Sequence, residues 1–149
     1  MPEIFVDADA CPVKDEVIRV ASRHGLKTHM VSDGGIRPGT DPMVSLVIVA
    51  SGPDAADDWI ADNITGGDIV VTSDIPLAAR CLEKGGRAIR PNGEAFTESS
   101  IGMALATRDL MSSLRETGTI TGGPRSFSNR DRSQFLNAME VMVQAALRG

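Results

Sequence analysis

The residues best suited to chemistry are two aspartates, Asp7 and Asp9, at the end of the apolar run Ile4-Phe-Val6. A pleated strand turns alternate side chains the same way, so both carboxylates would face one side. Pro12 follows, and proline suits the first position of a helix, so the strand is expected to pass almost directly into one. A second stretch repeats the plan. Ile69-Val-Val71 leads through Thr72 and Ser73 to Asp74, and Pro76 opens a helix. Asp57, near the start of a helix that follows another strand, adds a fourth acid at the same edge. Two carboxylates about 4 Å apart repel by roughly 4 kcal/mol at an effective dielectric near 20, so such a cluster needs protons or a divalent cation. Oxygen-only donors favour Mg²⁺ or Mn²⁺, which assist phosphoryl transfer by activating water. The candidate metal ligands are Asp7, Asp9, Asp57 and Asp74, and the candidate catalytic set is Asp7, Asp57 and Asp74.

Each acid also has a structural reading. Asp9 could cap the helix expected at Pro12, and Asp74 or Ser73 the helix at Pro76. Asp58 and Asp62 fit a solvated helix face. Capping does not explain Asp7, which lies in the last apolar stretch, where an unpaired carboxylate is costly. Ser73, Arg125, Arg130 and Arg132 are candidates for binding a substrate phosphate. For the arginines the alternative is a solvated basic loop, with Arg132 paired to Asp131 or to a helix end. Cys11 reads as a small buried hydrophobe, and His24 and His29 have no ligand-like partner in sequence.

The elements that would position these residues alternate. Strands are expected at Ile4 to Asp7, Lys27 to Val31, Val44 to Ala50, Asp68 to Thr72 and Arg87 to Arg90. Val44 to Ala50 has the β-branched, apolar character of a strand buried on both faces. Helices are expected from Pro12 to His24, Asp54 to Ile64, Pro76 to Gly85, Glu98 to Leu114 and Asp131 to Leu147. In the fourth, Met103, Thr107, Leu110, Met111 and Leu114 fall on one face. Strands alternating with helices imply an α/β fold of three layers, a central, mainly parallel sheet of about four to five strands flanked by helices. The chain reads as a single domain, 1–149.

Composition narrows the partners. The net charge of −5 excludes bulk electrostatic coating of nucleic acid. Met1 to Asp74 carries 5 basic and 13 acidic residues, whereas Ile75 to Gly149 carries 10 and 7, so the halves differ in sign. An acidic half and an arginine-bearing half suit a metal-dependent enzyme acting on phosphates. With no Tyr, one Trp and four Phe there is little material for stacking bases. The two cysteines lack metal-ligand spacing, and no leader or span-length apolar run is visible, so a cytoplasmic protein without membrane contact is expected.

Val6-Asp-Ala-Asp-Ala-Cys-Pro12 resembles the signature of the YaiI/YqxD family of bacterial proteins. The resemblance continues in Asp54-Ala-Ala-Asp57, Asp68-Ile-Val-Val-Thr-Ser-Asp-Ile-Pro-Leu-Ala78, Arg90-Pro-Asn-Gly93, Thr107-Arg-Asp109 and Gly122-Gly-Pro-Arg-Ser-Phe-Ser-Asn-Arg-Asp-Arg132, and so spans nearly the whole chain. That family is similar to PIN-like domains, compact Rossmann-like folds whose members are commonly metal-dependent ribonucleases and often dimerise. The resemblance implies a Mg²⁺- or Mn²⁺-dependent nuclease acting on RNA, with homodimers expected. Asp7 matches the acid ending the first strand, Asp57 the acid of a middle helix and Asp74 the acid after a later core strand. The acid usual soon after the last of these is missing, because the next carboxylate is Glu83; either Asp9 takes its place or one metal is held instead of two. A strand ending in Asp-x-Asp also fits a haloacid-dehalogenase-like phosphatase, with Val71-Thr72 as its hydroxyl motif, although a later paired-aspartate strand end is lacking. A third reading is a non-catalytic module that binds RNA, a nucleotide or a protein.

Overall fold

A computed structural model describes residues 1–34, 39–50, 52, 54–116 and 127–149, with 10, 112, 115 and 116 by their backbone alone. The apolar run Ile4–Asp7 forms β1 at the middle of a six-stranded sheet ordered β3-β2-β1-β4-β5-β6. It pairs in parallel with β2 (Thr28–Ser32) on one side and β4 (Ile69–Val71) on the other. β3 (Val44–Ile48) and β5 (Arg87–Ile89) extend the parallel sheet outward. β6 (Ala95–Phe96) closes it antiparallel to β5.

Helices cover both faces, giving the three-layer α/β fold. On one face, α1 (Lys14–His24) and α5 (Asn129–Arg148) bring Val17, Val20, Phe135 and Met139 onto Ile4, Val6, Ile69 and Val71. On the other, α2 (Ala55–Asn63) and α3 (Ile75–Glu83) bring Ile60, Leu77 and Cys81 onto Phe5, Val70 and Ala88. α4 (Glu98–Glu116) adds Ile101 to this second cluster. The period of two assigns the faces: Phe5 belongs to the α2/α3 side, so Asp7, two residues on, is turned toward that side as well.

Several expectations are corrected. β1 does not run straight into a helix, because Ala8–Ala10 forms a 3-10 turn and α1 begins only at Lys14. Cys11 is extended (φ −106°, ψ 112°), the conformation favoured before a proline, and the N-cap of α1 is Val13, so Pro12 lies outside the helix. β3 is an edge strand and not a doubly buried one, with Ile48 57% exposed. β6, two residues long, is too short to carry a periodic signal and was not among the expected strands. On the apolar face of α4, Met103 and Leu110 are 73% and 58% exposed, and the helix leans on its neighbours through Ile101. Periodicity locates a stripe on a helix without saying whether anything covers it. Among the described residues no helix is long and apolar enough to cross a membrane.

Candidate functional site

The chain leaves β1 to build β2 and β3 on one side, then crosses over to build β4 and β5 on the other. The carboxyl ends of β1 and β4 therefore flank the point where strand order reverses, which opens a crevice in sheets of this kind. A cavity of about 380 Å³ lies there, lined by Asp7, Cys11, Thr72, Ser73, Asp74 and Arg108 among others.

Asp7 and Asp74 are joined through one hydroxyl. Thr72 Oγ1 donates to Asp7 Oδ2 at 3.1 Å and accepts from the Asp74 backbone N–H at 3.0 Å. Asp74 is also the N-cap of α3, its Oδ1 accepting from the Leu77 N–H at 2.9 Å. Capping and a place in the site are thus compatible, since one oxygen fixes the rotamer while the carboxyl also meets Asp57. The carboxyl of Asp57 lies close enough to those of Asp74 and Asp7 to feel their negative charge. Asp57 is pushed up to about 7, by burial first and then by the negative charges of Asp74 and Asp7. Burial raises Asp7 too, opposed by the Thr72 hydrogen bond and reinforced by Asp74 and Asp9. Asp74 therefore acts on both Asp7 and Asp57, and Asp7 on Asp57, which brings these three predicted acids near one another.

Asp9 is placed differently. Its carboxylate accepts from Ser32 Oγ at 2.6 Å and from the Asp33 N–H at 3.1 Å, so it ties the 3-10 turn to the end of β2. It does not cap α1, whose N-cap Val13 receives no side-chain bond. Asp58 pairs with Arg80 at 2.9 Å on the outer side of α2, as a solvated face requires. Ser73 is exposed at the cavity rim. Arg132 is fully engaged: it donates to Glu16 at 2.7 and 3.2 Å and to the Pro12 carbonyl at 2.8 Å, and it lies over the Phe127 ring. Arg130 is exposed in the first turn of α5, and Arg125 lies outside the described residues. Cys11 is buried against the cavity, its thiol pushed up to about 11 by that burial, which makes it a poor nucleophile. His24 and His29 meet Glu140 and Glu3 away from the cavity.

Sequence reasoning missed two contributors. Thr72 was legible only as part of a phosphatase hydroxyl motif, and its bridging of two acids depends on the pairing of β1 with β4. Arg108 stands in the Thr107-Arg-Asp109 stretch, but nothing local says which cavity its helix overhangs. Among the described residues no group of three or more His, Cys, Asp and Glu side chains is already arranged to hold a metal ion. What suits a hard cation is the chemistry of the donors: the charges acting most on Asp7 and Asp57 are other carboxylates, so the cluster lacks a counter-charge.

The chain is similar over most of its length to known proteins. The family model for the uncharacterised YaiI/YqxD family matches residues 5–145. A UPF0178 protein of Parvibaculum lavamentivorans is 60% identical over 148 residues, covering 99% of this chain and 97% of its own. UPF0178 proteins of Rhodospirillum rubrum and Rhodopseudomonas palustris are each 58% identical over 148 residues, with 99% of this chain covered and 99% and 94% of theirs. No solved structure matches.

Proposed function

Starting from the chain's membership of the YaiI/YqxD family of bacterial proteins, we propose that it is a metal-dependent phosphodiesterase whose substrate is RNA. The observation that carries this reading is the meeting of Asp7 and Asp74 in one cavity at the strand-order reversal, joined through Thr72, with Asp57 near enough to feel both charges. Asp7, Asp57 and Asp74 would hold Mg²⁺ or Mn²⁺, which when bound would lower the pKa of an attacking water and offset charge on the leaving oxygen. Thr72 keeps Asp7 aimed at the cavity, and the α3 cap keeps Asp74 there, so neither carboxylate is free to rotate away. Ser73 at the rim and Arg130 and Arg125 nearby in sequence to α5 supply phosphate contacts in this proposal, while Arg132 anchors the start of α5 to α1.

The test is cleavage of single-stranded RNA with Mn²⁺, wild type beside Asp7→Asn. Cleavage that needs Mn²⁺ and disappears in the variant is expected. Cleavage surviving the substitution, or proceeding in chelator, would sink the proposal. The phosphatase reading needs the second acid of Asp-x-Asp beside the first, and the engagement of Asp9 with Ser32 and Asp33 favours the nuclease reading over it. A non-catalytic RNA-binding module would bind the same RNA with Mn²⁺ and turn none over.

A further inference from the structure

We propose that Arg108 grips a backbone phosphate of the substrate beside the carboxylates, so that the site recognises the sugar-phosphate chain of a single strand and not its bases. The inference rests on the phosphodiesterase reading and assigns that site its substrate contact.

Three observations carry it. First, α4 delivers Arg108 to the same cavity as Asp7, Ser73 and Asp74, although it lies 34 positions beyond Asp74 in the chain. Second, its guanidinium is uncommitted among the described residues, unlike those of Arg23, Arg80, Arg90 and Arg132. Arg23, Arg80, Arg90 and Arg132 each donate to a carboxylate at 2.7 to 2.9 Å, whereas among the described residues Arg108 approaches only its neighbour Asp109, at 3.6 Å, beyond hydrogen-bonding distance. A planar fork of donors that remains open beside a cavity matches two phosphate oxygens. Third, the other lining residues, Cys11, Thr72, Ile75 and Pro91, include no aromatic ring, so the described walls have no aromatic platform for a base. About 380 Å³ is near the lower end of the range for ligand sites, which suits one nucleotide unit of a single strand and not a duplex. Contacts confined to phosphate fix position without reading sequence.

The experiment uses the full chain and fluorescein-labelled oligo-U and oligo-A ribonucleotide 12-mers. Binding is read by anisotropy with Ca²⁺, and cleavage kinetics with Mn²⁺. Arg108→Gln is expected to weaken binding of both oligomers about tenfold, the effect of losing a charge-assisted pair, and to raise KM more than it lowers kcat. Arg108→Lys recovers part of the loss, because a point charge replaces the fork. Arg19→Gln, the same charge change on the exposed side of α1, leaves both readouts unchanged. Arg108→Gln binding equal to wild type would overturn the inference, as would an equal loss in Arg19→Gln, an affinity difference above tenfold between the two oligomers, or no binding by wild type. Binding that falls in Arg108→Gln while wild type cleaves nothing supports the Arg108 contact and removes the phosphodiesterase reading. Metal-dependent cleavage with unchanged Arg108→Gln kinetics does the reverse.

Discussion

At the scale of single residues, Asp57 makes the charge deficit of the site measurable. Its carboxyl keeps a proton to about pH 7 in the folded chain, whereas an aspartate in the unfolded chain releases it near the ordinary value of 3.8. Between those values the native state binds more protons than the unfolded one, so the stability due to this group is fully present below about pH 4 and falls as pH rises through 7. Asp57→Asn is therefore expected to melt above wild type at pH 8, with the difference vanishing near pH 4, in thermal scans with chelator present. Mn²⁺ should raise the wild-type midpoint at pH 8 and do less for the variant. Asp7→Asn should reduce Mn²⁺-dependent RNA cleavage at least about a hundredfold, the scale of removing a group that acts only on the reacting centre, without lowering the melting temperature. The fold tolerates this change because burial already disfavours the charge that the substitution removes. Both acids were visible as candidates from their places at a strand end and a helix start; their interaction was not, since it requires α2 and β1 to meet.

At the scale of elements, the Arg90-to-Glu94 turn links the β5–β6 edge to α5. Arg90 receives the Gly93 N–H and donates its own N–H to Glu94, closing the turn on both sides. Gly93 holds φ +96°, and a Cβ there would stand 2.8 Å from the Gln134 carbonyl oxygen of α5. A rigid backbone atom cannot give way as a side chain would. Gly93→Ala is therefore expected to cost about 1–3 kcal/mol in urea denaturation, combining overpacking with a left-handed φ. A Pro-Asn-Gly turn was legible in the sequence as a stop signal. The hairpin with β6 and the close approach of α5 were not, because a two-residue strand has no period and the contact spans some forty positions. α4 shows the opposite case, a clear apolar stripe that nothing among the described elements covers at Met103 and Leu110.

At the scale of the whole molecule, the charge division along the chain becomes a division of roles. The acidic first half supplies Asp7 and Asp57, and Asp74 closes it, while Arg108 and Arg130 come from the half with a net positive balance. With a net charge of −5, few cations remain to meet a polyanion. RNA binding is expected to depend only weakly on salt. Three phosphate contacts, Arg108, Arg125 and Arg130, predict a slope of log K against log salt of about −2.1, at roughly 0.7 per contact on a single strand. Anisotropy titrations from 50 to 300 mM KCl measure it, and a slope steeper than about −4 would mean a wider basic surface than these residues provide.

The sequence by itself determined which strands end in acids and which helices follow them. Apolar runs, proline and glycine act over a few residues, so Asp7, Asp74 and the layers around them could be read locally. It could not determine partners, because those depend on the order of strands and the packing of helices. Only the tertiary structure gave the carboxylate of Asp9 to Ser32 and Asp33, Arg132 to Glu16, and Arg108 to the cavity. In each case a long-range pairing supplied a partner that the local sequence does not name. For Asp74 the same packing showed that capping a helix and facing Asp57 are not alternatives.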